Sequence, residues 1–311
     1  MKKTRHFITL ADVNINELNR IFALAEETKA NFKNGIRSKI LDGKVLALIF
    51  EKMSLRTRVS FESGMSQLGG SSMLLEDQHI GFGKRESIAD IGHVLSSMVD
   101  AIVFRAKSHK SVTELAKYSS CPVINALTDL SHPCQALADM LTIKEEFGTL
   151  KGKKVVWVGD SNNVAASLIE IAAKLGVKIV VSSPKGYQFT QDHLNKIIGK
   201  DPVEGFAIDL VENPQDAVRQ ADAVYTDVWV SMGQENEEEE RKRAFVNYQV
   251  NQKLMQIAGK DAIFLHCLPA RRGLEVTDDV MDSGQSRIIE QAANRMHAQK
   301  GLLIWLLNEA K

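Results

Sequence analysis

Apolar residues along the chain recur with two spacings, which predict strands and helices in alternation. Short continuous apolar runs are typical of strands buried on both faces, whereas apolar residues three or four positions apart are typical of amphipathic helices. Leu18, Ile21, Phe22 and Ala25 have the helical spacing, so the segment up to about residue 34 is predicted to be a helix. The strands predicted after it, in the first half of the chain, are Val45–Phe50, 72–75, Ala101–Arg105 and 122–126.

Helices are predicted between these strands. The clearest of them carries Ile91, Val94, Leu95 and Met98 on one face, and a further helix over Pro133–Phe147 closes the first half. The alternation then restarts after Gly148 and a lysine-rich stretch at 151–154, with a helix marked by apolar residues from 164 to 175 and ended by a glycine. The strands predicted in the second half are 155–158, Lys178–Ser182, about 206–210, Ala223–Thr226 and 262–266.

This alternation predicts an α/β protein made of two tandem, doubly wound parallel-sheet domains that are linked by long helices. We assign residues 1–147 to the first domain and residues 148–286 to the second. Residues 287–307 have the pattern of a long helix with an apolar face, and we expect the segment 287–311 to pack back on the first domain.

Polar residues at the predicted strand ends are candidates for chemistry, because open parallel sheets bind ligands beyond the carboxyl ends of their strands. The first strand is followed by Ser54-Leu55-Arg56-Thr57-Arg58, in which Ser54 has the position of a helix N-cap. Free backbone N–H groups, the helix dipole, hydroxyls and guanidinium groups converge there, which predicts a site for phosphate or another small anion. The alternative is a capped surface helix with two solvated arginines.

Three further strand ends in the first half carry polar residues. His79 follows the second strand, Arg105 ends the third, and His132 and Gln135 lie three residues apart at a helix start, where both side chains can point into one pocket. The alternatives are a surface salt bridge for Arg105 and a simple helix cap for His132.

The second half also carries polar residues at its strand ends. Residues 159–163 read Gly-Asp-Ser-Asn-Asn, which lacks the dinucleotide fingerprint and is compatible with a helix cap. Asp227 follows a strand and can hold an ammonium group or cap a turn, and His266 and Cys267 end another. The charged run at 237–243 is interpreted as a solvated helix start, since its acidic residues precede its basic ones.

Composition limits the classes of partner. Lys+Arg and Asp+Glu both number 39, so no overall field favours nucleic acid or an acidic membrane, and an anion site must be local. The three cysteines lack CxxC spacing, which favours a reducing cytoplasm over a disulfide or zinc framework. The N-terminal residues lack a signal-peptide core, and no apolar run approaches the ~18 residues that span a bilayer. We therefore expect a cytoplasmic protein.

Four of these motifs, in this order, resemble those of the ornithine carbamoyltransferases along essentially the whole chain. Residues 54–58 are similar to that family's Ser-Thr-Arg-Thr-Arg phosphate loop, and residues 132–135 match its His-Pro-x-Gln motif. Residues 227–233 resemble its Asp-x-x-x-Ser-Met-Gly ornithine loop, and residues 266–269 its His-Cys-Leu-Pro motif.

The resemblance implies the reaction of carbamoyl phosphate with L-ornithine to give L-citrulline and phosphate, a step of arginine metabolism. It also implies a homotrimer with active sites near subunit interfaces, or a multiple of trimers, and no metal or organic cofactor. The residues to which it gives catalytic roles are Arg56, Arg105, His132 and Cys267. Those to which it gives substrate-binding roles are Ser54, Leu55, Thr57, His79, Gln135, Asn163, Asp227, Ser231, Met232, Leu268 and Arg295.

Three features depart from the family pattern. Leu55 replaces the usual Thr, so a backbone N–H is kept but a hydroxyl is lost; Met53 stands where Pro is common; and the segment after His79 is about two residues longer. Two alternatives stay open at this point. One is a carbamoyltransferase for another acceptor, such as aspartate, putrescine or an N-acylated ornithine. The other is a catalytically weak paralogue that binds carbamoyl phosphate.

Overall fold

The computed structural model describes residues 4–76, 81, 85–199, 202–230 and 234–310, and within these residues the chain forms two parallel β-sheets with helices between their strands. The chain divides into two compact units. Unit 1 comprises Met1–Ala138 and Ala293–Lys311, and unit 2 comprises Asp139–Ala292.

Unit 1 contains a sheet of four parallel strands. These strands are β1 (Val45–Phe50), β2 (Ser71–Glu76), β3 (Ala101–Arg105) and β4 (Val123–Leu127). The helices of this part of the chain are α1 (Ile15–Lys33), α2 (Leu55–Gln67), α3 (Ile88–Ser96), α4 (His109–Tyr118) and α5 (Pro133–Phe147), preceded by a 3-10 turn at Leu10–Asp12. The chain passes from unit 1 to unit 2 within α5.

Apolar residues explain why β1 and α2 form as they do. Five of the six side chains of β1 are buried, as expected for a central strand covered on both faces. Ser54 caps α2 by accepting a hydrogen bond from the Thr57 backbone N–H at 3.4 Å. Phe61, Met65 and the C-cap residue Leu68 are all buried, so one face of this helix is apolar and packed against the core.

The strand order of the first sheet is β2-β1-β3-β4, so the winding direction reverses between β1 and β3. Ligand crevices of doubly wound sheets lie at such a reversal, beyond the carboxyl ends of the two strands. Residues 54–58 follow β1, and Arg105 is the last residue of β3. The topology alone therefore places two of the predicted anion-binding elements at the same crevice.

Unit 2 contains a sheet of five parallel strands in the order β7-β6-β5-β8-β9. These strands are β5 (Lys154–Val158), β6 (Lys178–Ser182), β7 (Ala207–Leu210), β8 (Ala223–Thr226) and β9 (Ile263–His266). The helices that follow α5 are α6 (Asn163–Leu175), α7 (Gln191–Ile198), α8 (Pro214–Ala217), α9 (Glu238–Phe245), α10 (Gln252–Ala258), α11 (Asp278–Met281) and α12 (Ile288–Ile304). The remaining turns are 3-10 helices at Glu235–Glu237 and Val246–Tyr248 and a π-helical turn at Trp305–Glu309.

The winding of the second sheet reverses between β5 and β8, which again defines one crevice. Residues 159–163 follow β5 and Asp227 follows β8. The intervening α6 ends as predicted, at Gly176 in the left-handed conformation (φ 69°), where a Cβ would lie 2.9 Å from the Glu204 carbonyl oxygen.

The predicted fold class is confirmed, and β1, β3, β6, β8 and α5 have the predicted bounds. The predicted face of α3 is wrong in part. Ile91 is buried, but Val94 is half exposed, and Met98 lies beyond the helix end at Ser96 and is 71% exposed. The helix ends early because the Asp100 N–H donates to the Val45 carbonyl oxygen, which draws the chain into the sheet.

Among the described residues, none of the helices combines the length and the apolar character needed to cross a membrane.

Candidate active site

The Thr57 hydroxyl is the centre of the polar cluster in unit 1. Thr57 is fully buried, and its Oγ1 accepts from Ser54 Oγ at 3.0 Å and from Arg295 Nη2 at 3.2 Å, with Arg105 Nη1 at 3.5 Å. Because the oxygen accepts these contacts, its own hydrogen remains available for a further acceptor. The cap, the strand end and the C-terminal helix thus meet at one hydroxyl.

Arg295 is anchored by a second contact in the same unit. Its Nη1 donates to Gln135 Oε1 at 2.7 Å, and both residues are buried. Gln135 lies in the first turn of α5, as its spacing from His132 predicts. The structure therefore brings together Ser54, Thr57, Arg105, Gln135 and Arg295, which are distant in sequence.

His132 is buried immediately before α5. Its carbonyl oxygen accepts from the Gln135 and Ala136 N–H groups at the start of α5. The contact of His132 with the helix start is therefore made by its backbone. Burial lowers the pKa of His132 well below its usual value, and the positive charges of Arg295 and Arg105 lower it further. The imidazole is consequently neutral at physiological pH and can act as a hydrogen-bond donor or acceptor without adding a charge.

The two arginines of the 54–58 segment behave differently. Arg56 is half-buried in the first turn of α2, and no hydrogen bond or ion pair is found for it within the described part of the chain. Arg58 is exposed and pairs with Glu62 at 3.1 Å, one turn along the helix, so it is a surface residue. Arg105 and Arg295 are therefore the guanidinium groups that meet at the Thr57 hydroxyl, and Arg56 lies one residue before Thr57 on α2.

Leu55 and Met53 point their side chains outward. Leu55 is 74% exposed and Met53 is 57% exposed. As the first residue of α2, Leu55 has a backbone N–H that donates no intrahelical hydrogen bond and is available to a ligand. The departure from the family pattern at this position thus removes a hydroxyl and leaves the backbone donor.

Asp227 is the centre of the polar cluster in unit 2. It is buried after β8, and its Oδ2 accepts from Asn162 Nδ2 at 2.9 Å while its Oδ1 accepts from Cys267 Sγ at 3.1 Å. Gly159 lets β5 end beside it, because its φ of 140° suits glycine and a Cβ there would lie 3.4 Å from Thr226 Oγ1. A buried carboxylate held by two neutral donors is suited to an ammonium group.

Sequence reasoning selected Asn163 and missed Asn162. Asn162 caps α6, because its Oδ1 accepts from the Val164 and Ala165 N–H groups at 2.9 and 3.1 Å, and its amide nitrogen reaches Asp227. The predicted helix cap is therefore confirmed at Asn162, which also orients the Asp227 carboxylate. Asn163 lies beside it as the first residue of the helix and is half-buried.

The segment after β9 is held by a buried imidazole. The Leu268 N–H donates to His266 Nδ1 at 2.9 Å, so Nε2 carries the hydrogen and faces Glu275 Oε1 at 3.3 Å. The Gln291 Oε1 accepts from the His266 backbone N–H at 2.9 Å. These contacts fix Leu268 in the left-handed region (φ 57°), which leucine adopts only when its surroundings impose it, and thereby fix the segment that carries Cys267.

Asp227, His266 and Cys267 form a group whose potential metal-ligating atoms lie within 4.8 Å of one another. Both ring nitrogens of His266 are already engaged, with Leu268 and with Glu275. The three side chains are therefore arranged as hydrogen-bonded partners and not as an open set of ligands.

Arg241 is a buried residue of this region that the sequence interpretation missed. The run at 237–243 was expected to be solvated, and Arg243 is exposed, but Arg241 is only 6% exposed. The signal was its spacing, since Arg241 precedes Phe245 by four residues and so lies on the same helix face as that fully buried ring.

Three predicted site residues, His79, Ser231 and Met232, lie outside the described residues, as does most of the longer segment that follows His79.

Two family models match the chain in tandem. The model described as "Aspartate/ornithine carbamoyltransferase, carbamoyl-P binding domain" matches residues 5–145, and that described as "Aspartate/ornithine carbamoyltransferase, Asp/Orn binding domain" matches residues 151–306. The first match contains the anion cluster up to Gln135, and the second contains Asp227, Cys267 and Arg295.

Individual proteins are similar over almost the whole chain. The ornithine carbamoyltransferase of Halalkalibacterium halodurans is 50% identical over 305 residues, which cover 98% of this chain and 96% of that protein. The solved structure of the ornithine carbamoyltransferase from Pyrococcus furiosus superposes with a TM-score of 0.94 at 48% identity and covers 99% of this chain and 98% of that one. The anabolic ornithine carbamoyltransferase of Campylobacter jejuni has a TM-score of 0.91 at 38% identity and covers 98% of this chain and 100% of that one.

Proposed function

This chain belongs to the aspartate/ornithine carbamoyltransferase family, and from this premise we propose that it transfers the carbamoyl group of carbamoyl phosphate to the side-chain amine of L-ornithine. The products are L-citrulline and phosphate. The observation that carries the choice of acceptor is the buried Asp227 carboxylate, held by Asn162 and Cys267, because it suits a substrate ammonium group.

Carbamoyl phosphate is bound by the cluster of unit 1. Arg56, Arg105 and Arg295 supply positive charge, while the Ser54 and Thr57 hydroxyls and the first-turn N–H groups of α2, including that of Leu55, supply hydrogen bonds to phosphate oxygens. His79 is proposed to add a further contact to the phosphate. Gln135 and the neutral His132 lie at the start of α5, and we assign them to the carbamoyl oxygen and nitrogen.

Ornithine is bound through its amino-acid group and through its reacting amine. Asp227 accepts the α-ammonium group, and Asn163, Ser231 and Met232 are assigned to the remainder of the amino-acid part. Cys267 and the Leu268 carbonyl oxygen are assigned to the side-chain amine, since the His266 contacts fix this segment.

The amine must lose a proton before it can react. A lysine-like amine has a pKa of about 10.4 in water, so it is mostly protonated at neutral pH. A positive charge close to the amine and removal from water both favour the neutral form. The neutral nitrogen attacks the carbamoyl carbon, the bond from that carbon to the phosphate oxygen breaks, and the leaving phosphate takes the proton that the new amide nitrogen loses. The arginines cannot act as bases, and they stabilise the charge that develops on the carbamoyl oxygen and on the phosphate.

The proposal also covers the oligomeric state and the cellular location of the protein. We propose a homotrimer in the cytoplasm, with residues 1–147 as the carbamoyl-phosphate domain and 148–286 as the ornithine domain. The exposed apolar side chains of Met53, Leu55 and Val59, next to the phosphate segment, support an assembly that covers them. Sedimentation velocity tests this part, and a monomer at micromolar concentration contradicts it.

One assay tests the proposed reaction. Purified protein is incubated with carbamoyl phosphate and, in separate reactions, with ornithine, aspartate, putrescine or N-acetylornithine, and ureido products are identified by mass. Citrulline from ornithine alone supports the proposal. A product from another amine identifies a different acceptor, and binding of carbamoyl phosphate without any product identifies a non-catalytic protein.

A further inference from the structure

Arg241 is a buried cation of unit 2 that the reaction described above does not use. Its Nη1 donates to Asp160 Oδ2 at 3.0 Å and to the Trp229 carbonyl oxygen at 3.1 Å, and its Nε donates to Glu237 Oε2 at 2.8 Å. One guanidinium thus ties together the turn after β5, the segment after β8 and the start of α9. It also lies over the Tyr187 ring, 5.0 Å from its centroid.

We propose that Arg241 is a positioning residue for the second substrate, which neutralises Asp160 and holds the Trp229 backbone so that Asp227 is presented to the α-ammonium group. The inference rests on the proposed function, because it concerns the residue assigned to ornithine. Arg241 itself is not assigned a contact with the substrate.

Asp160 and Asp227 are two buried carboxylates of the same region. Asp160 is 7% exposed and follows β5, two residues before the Asn162 that orients Asp227. Burial raises the pKa of Asp160, the charge of Arg241 and its hydrogen bond oppose that rise, and the charge of Asp227 adds to it. Asp160 therefore senses the charge of Asp227, and Arg241 places a compensating positive charge against Asp160.

Arg241 also holds the segment that carries Asp227. Trp229 lies two residues after Asp227, and its carbonyl oxygen is fixed by Arg241. The Trp229 ring in turn stacks on Phe245, with the ring centroids 6.0 Å apart, and Phe245 lies one helical turn after Arg241. In the segment after β5, the Asp160 carbonyl oxygen accepts from Trp157 Nε1 at 2.8 Å and from the Asn162 N–H at 2.8 Å. Arg241 therefore connects the two segments whose spacing sets the Asn162–Asp227 hydrogen bond.

A merely structural role and a positioning role predict different kinetics. Loss of general stability lowers the amount of active protein and leaves both Michaelis constants unchanged. Loss of positioning raises the KM for ornithine selectively, because the residues of the carbamoyl phosphate cluster belong to unit 1 and make none of these contacts.

The test uses four variants of the full chain: Arg241→Met, Arg241→Lys, Asp160→Asn and the double variant Asp160→Asn with Arg241→Met. Arg243→Met is the matched control, because Arg243 is an exposed arginine on the same helix. We expect Arg241→Met to raise the ornithine KM on the order of tenfold or more, as loss of a charged buried hydrogen bond does, while the carbamoyl phosphate KM stays within about twofold. Arg241→Lys keeps the charge and is expected to be intermediate, and the control is expected to match the parent protein.

The double variant separates neutralisation from general stability. Removing the Asp160 charge in the Arg241→Met background is expected to recover part of the lost ornithine affinity, since no uncompensated charge then remains beside Asp227. Equal changes in both Michaelis constants, or a double variant no better than Arg241→Met, overturn the proposal. If Arg241→Met does not fold, the Michaelis constants for ornithine and carbamoyl phosphate are compared in the Arg241→Lys and double variants instead. Absence of citrulline from the parent protein overturns instead the proposed function.

Discussion

The polar clusters of the two units are proposed to bind oppositely charged groups, and they are built in different ways. In unit 1, guanidinium and hydroxyl donors converge on the Thr57 oxygen from α2, β3 and the C-terminal helix. In unit 2, the Asp227 carboxylate is held by two neutral donors, and the neighbouring Asp160 forms a buried ion pair with Arg241. An anion site can be assembled by concentrating donors, whereas a carboxylate site must also compensate the charge of any second carboxylate nearby.

The largest expected effect on catalysis is that of replacing Arg105. Replacement of Arg105 by Ala removes a guanidinium from the Thr57 hydroxyl and from the phosphate, and we expect kcat/KM for carbamoyl phosphate to fall about 100- to 1,000-fold. Steady-state kinetics measures the loss. Arg58→Ala is the control, because Arg58 pairs with Glu62 on the surface and should leave the rate unchanged. A near-normal rate and KM for Arg105→Ala contradict the assignment.

In unit 2 the corresponding change is Asp227→Asn, which preserves the shape of the side chain and removes its charge. The ornithine KM is expected to rise about tenfold to 100-fold, because a charged hydrogen bond to the ammonium group is lost. The carbamoyl phosphate KM is expected to change little. The assignment fails if the ornithine KM stays at the parent value.

Glu275→Gln tests the support of the Cys267 segment. Glu275 is fully buried and accepts both from His266 and from the Arg271 N–H, so the neutral amide weakens both contacts. We expect kcat to fall about tenfold with a lowered thermal midpoint, since a charge-assisted hydrogen bond contributes ~1.5–3 kcal/mol. Unchanged kcat and midpoint together would show that the segment does not depend on this pair.

The pH dependence should reflect the neutral His132 in unit 1. Its pKa is lowered in the folded protein, so the unfolded chain binds more protons and stability declines as the pH falls below the unfolded value of about 6.5. His132 should therefore contribute no titration to kcat/KM between pH 6 and pH 8. The measurement is the pH profile of the parent protein and of His132→Asn; a titration near pH 6.5 that only the parent protein shows is incompatible with this account.

The smallest expected effect concerns Leu55. Its side chain is exposed and its backbone N–H is retained, so Leu55→Thr should lower the Kd for carbamoyl phosphate by no more than about threefold, the gain from one solvent-accessible hydrogen bond. Isothermal titration with carbamoyl phosphate measures this directly. A gain of 100-fold or more would mean that the residue limits binding in the parent protein.

The sequence predicted the fold and the cluster of unit 1 more completely than the cluster of unit 2. Apolar runs and helix spacing are local signals, and they gave the bounds of β1 and the cap at Ser54. The convergence of Thr57 and Arg295 was implied only by family resemblance, because no local pattern relates residues so far apart in sequence.

Arg241 was missed because charge patterning alone does not distinguish a solvated helix from one with a buried face. Its partners Asp160 and Trp229 follow other strands, so the ion pair depends on the strand order of the sheet. The role of Asn162 was hidden for a related reason: a capping residue was predicted, but its second contact, with Asp227, crosses from the end of β5 to the end of β8.

The central claim is that the two clusters act on different substrates, and equilibrium binding of carbamoyl phosphate tests it most directly. Titration calorimetry is performed on the parent protein, on Asp227→Asn and on Arg105→Ala under the same conditions. The account predicts that Asp227→Asn binds carbamoyl phosphate with the affinity of the parent protein, whereas Arg105→Ala binds it at least about tenfold more weakly. Equal weakening in both variants, or unimpaired binding by Arg105→Ala, contradicts the division of roles.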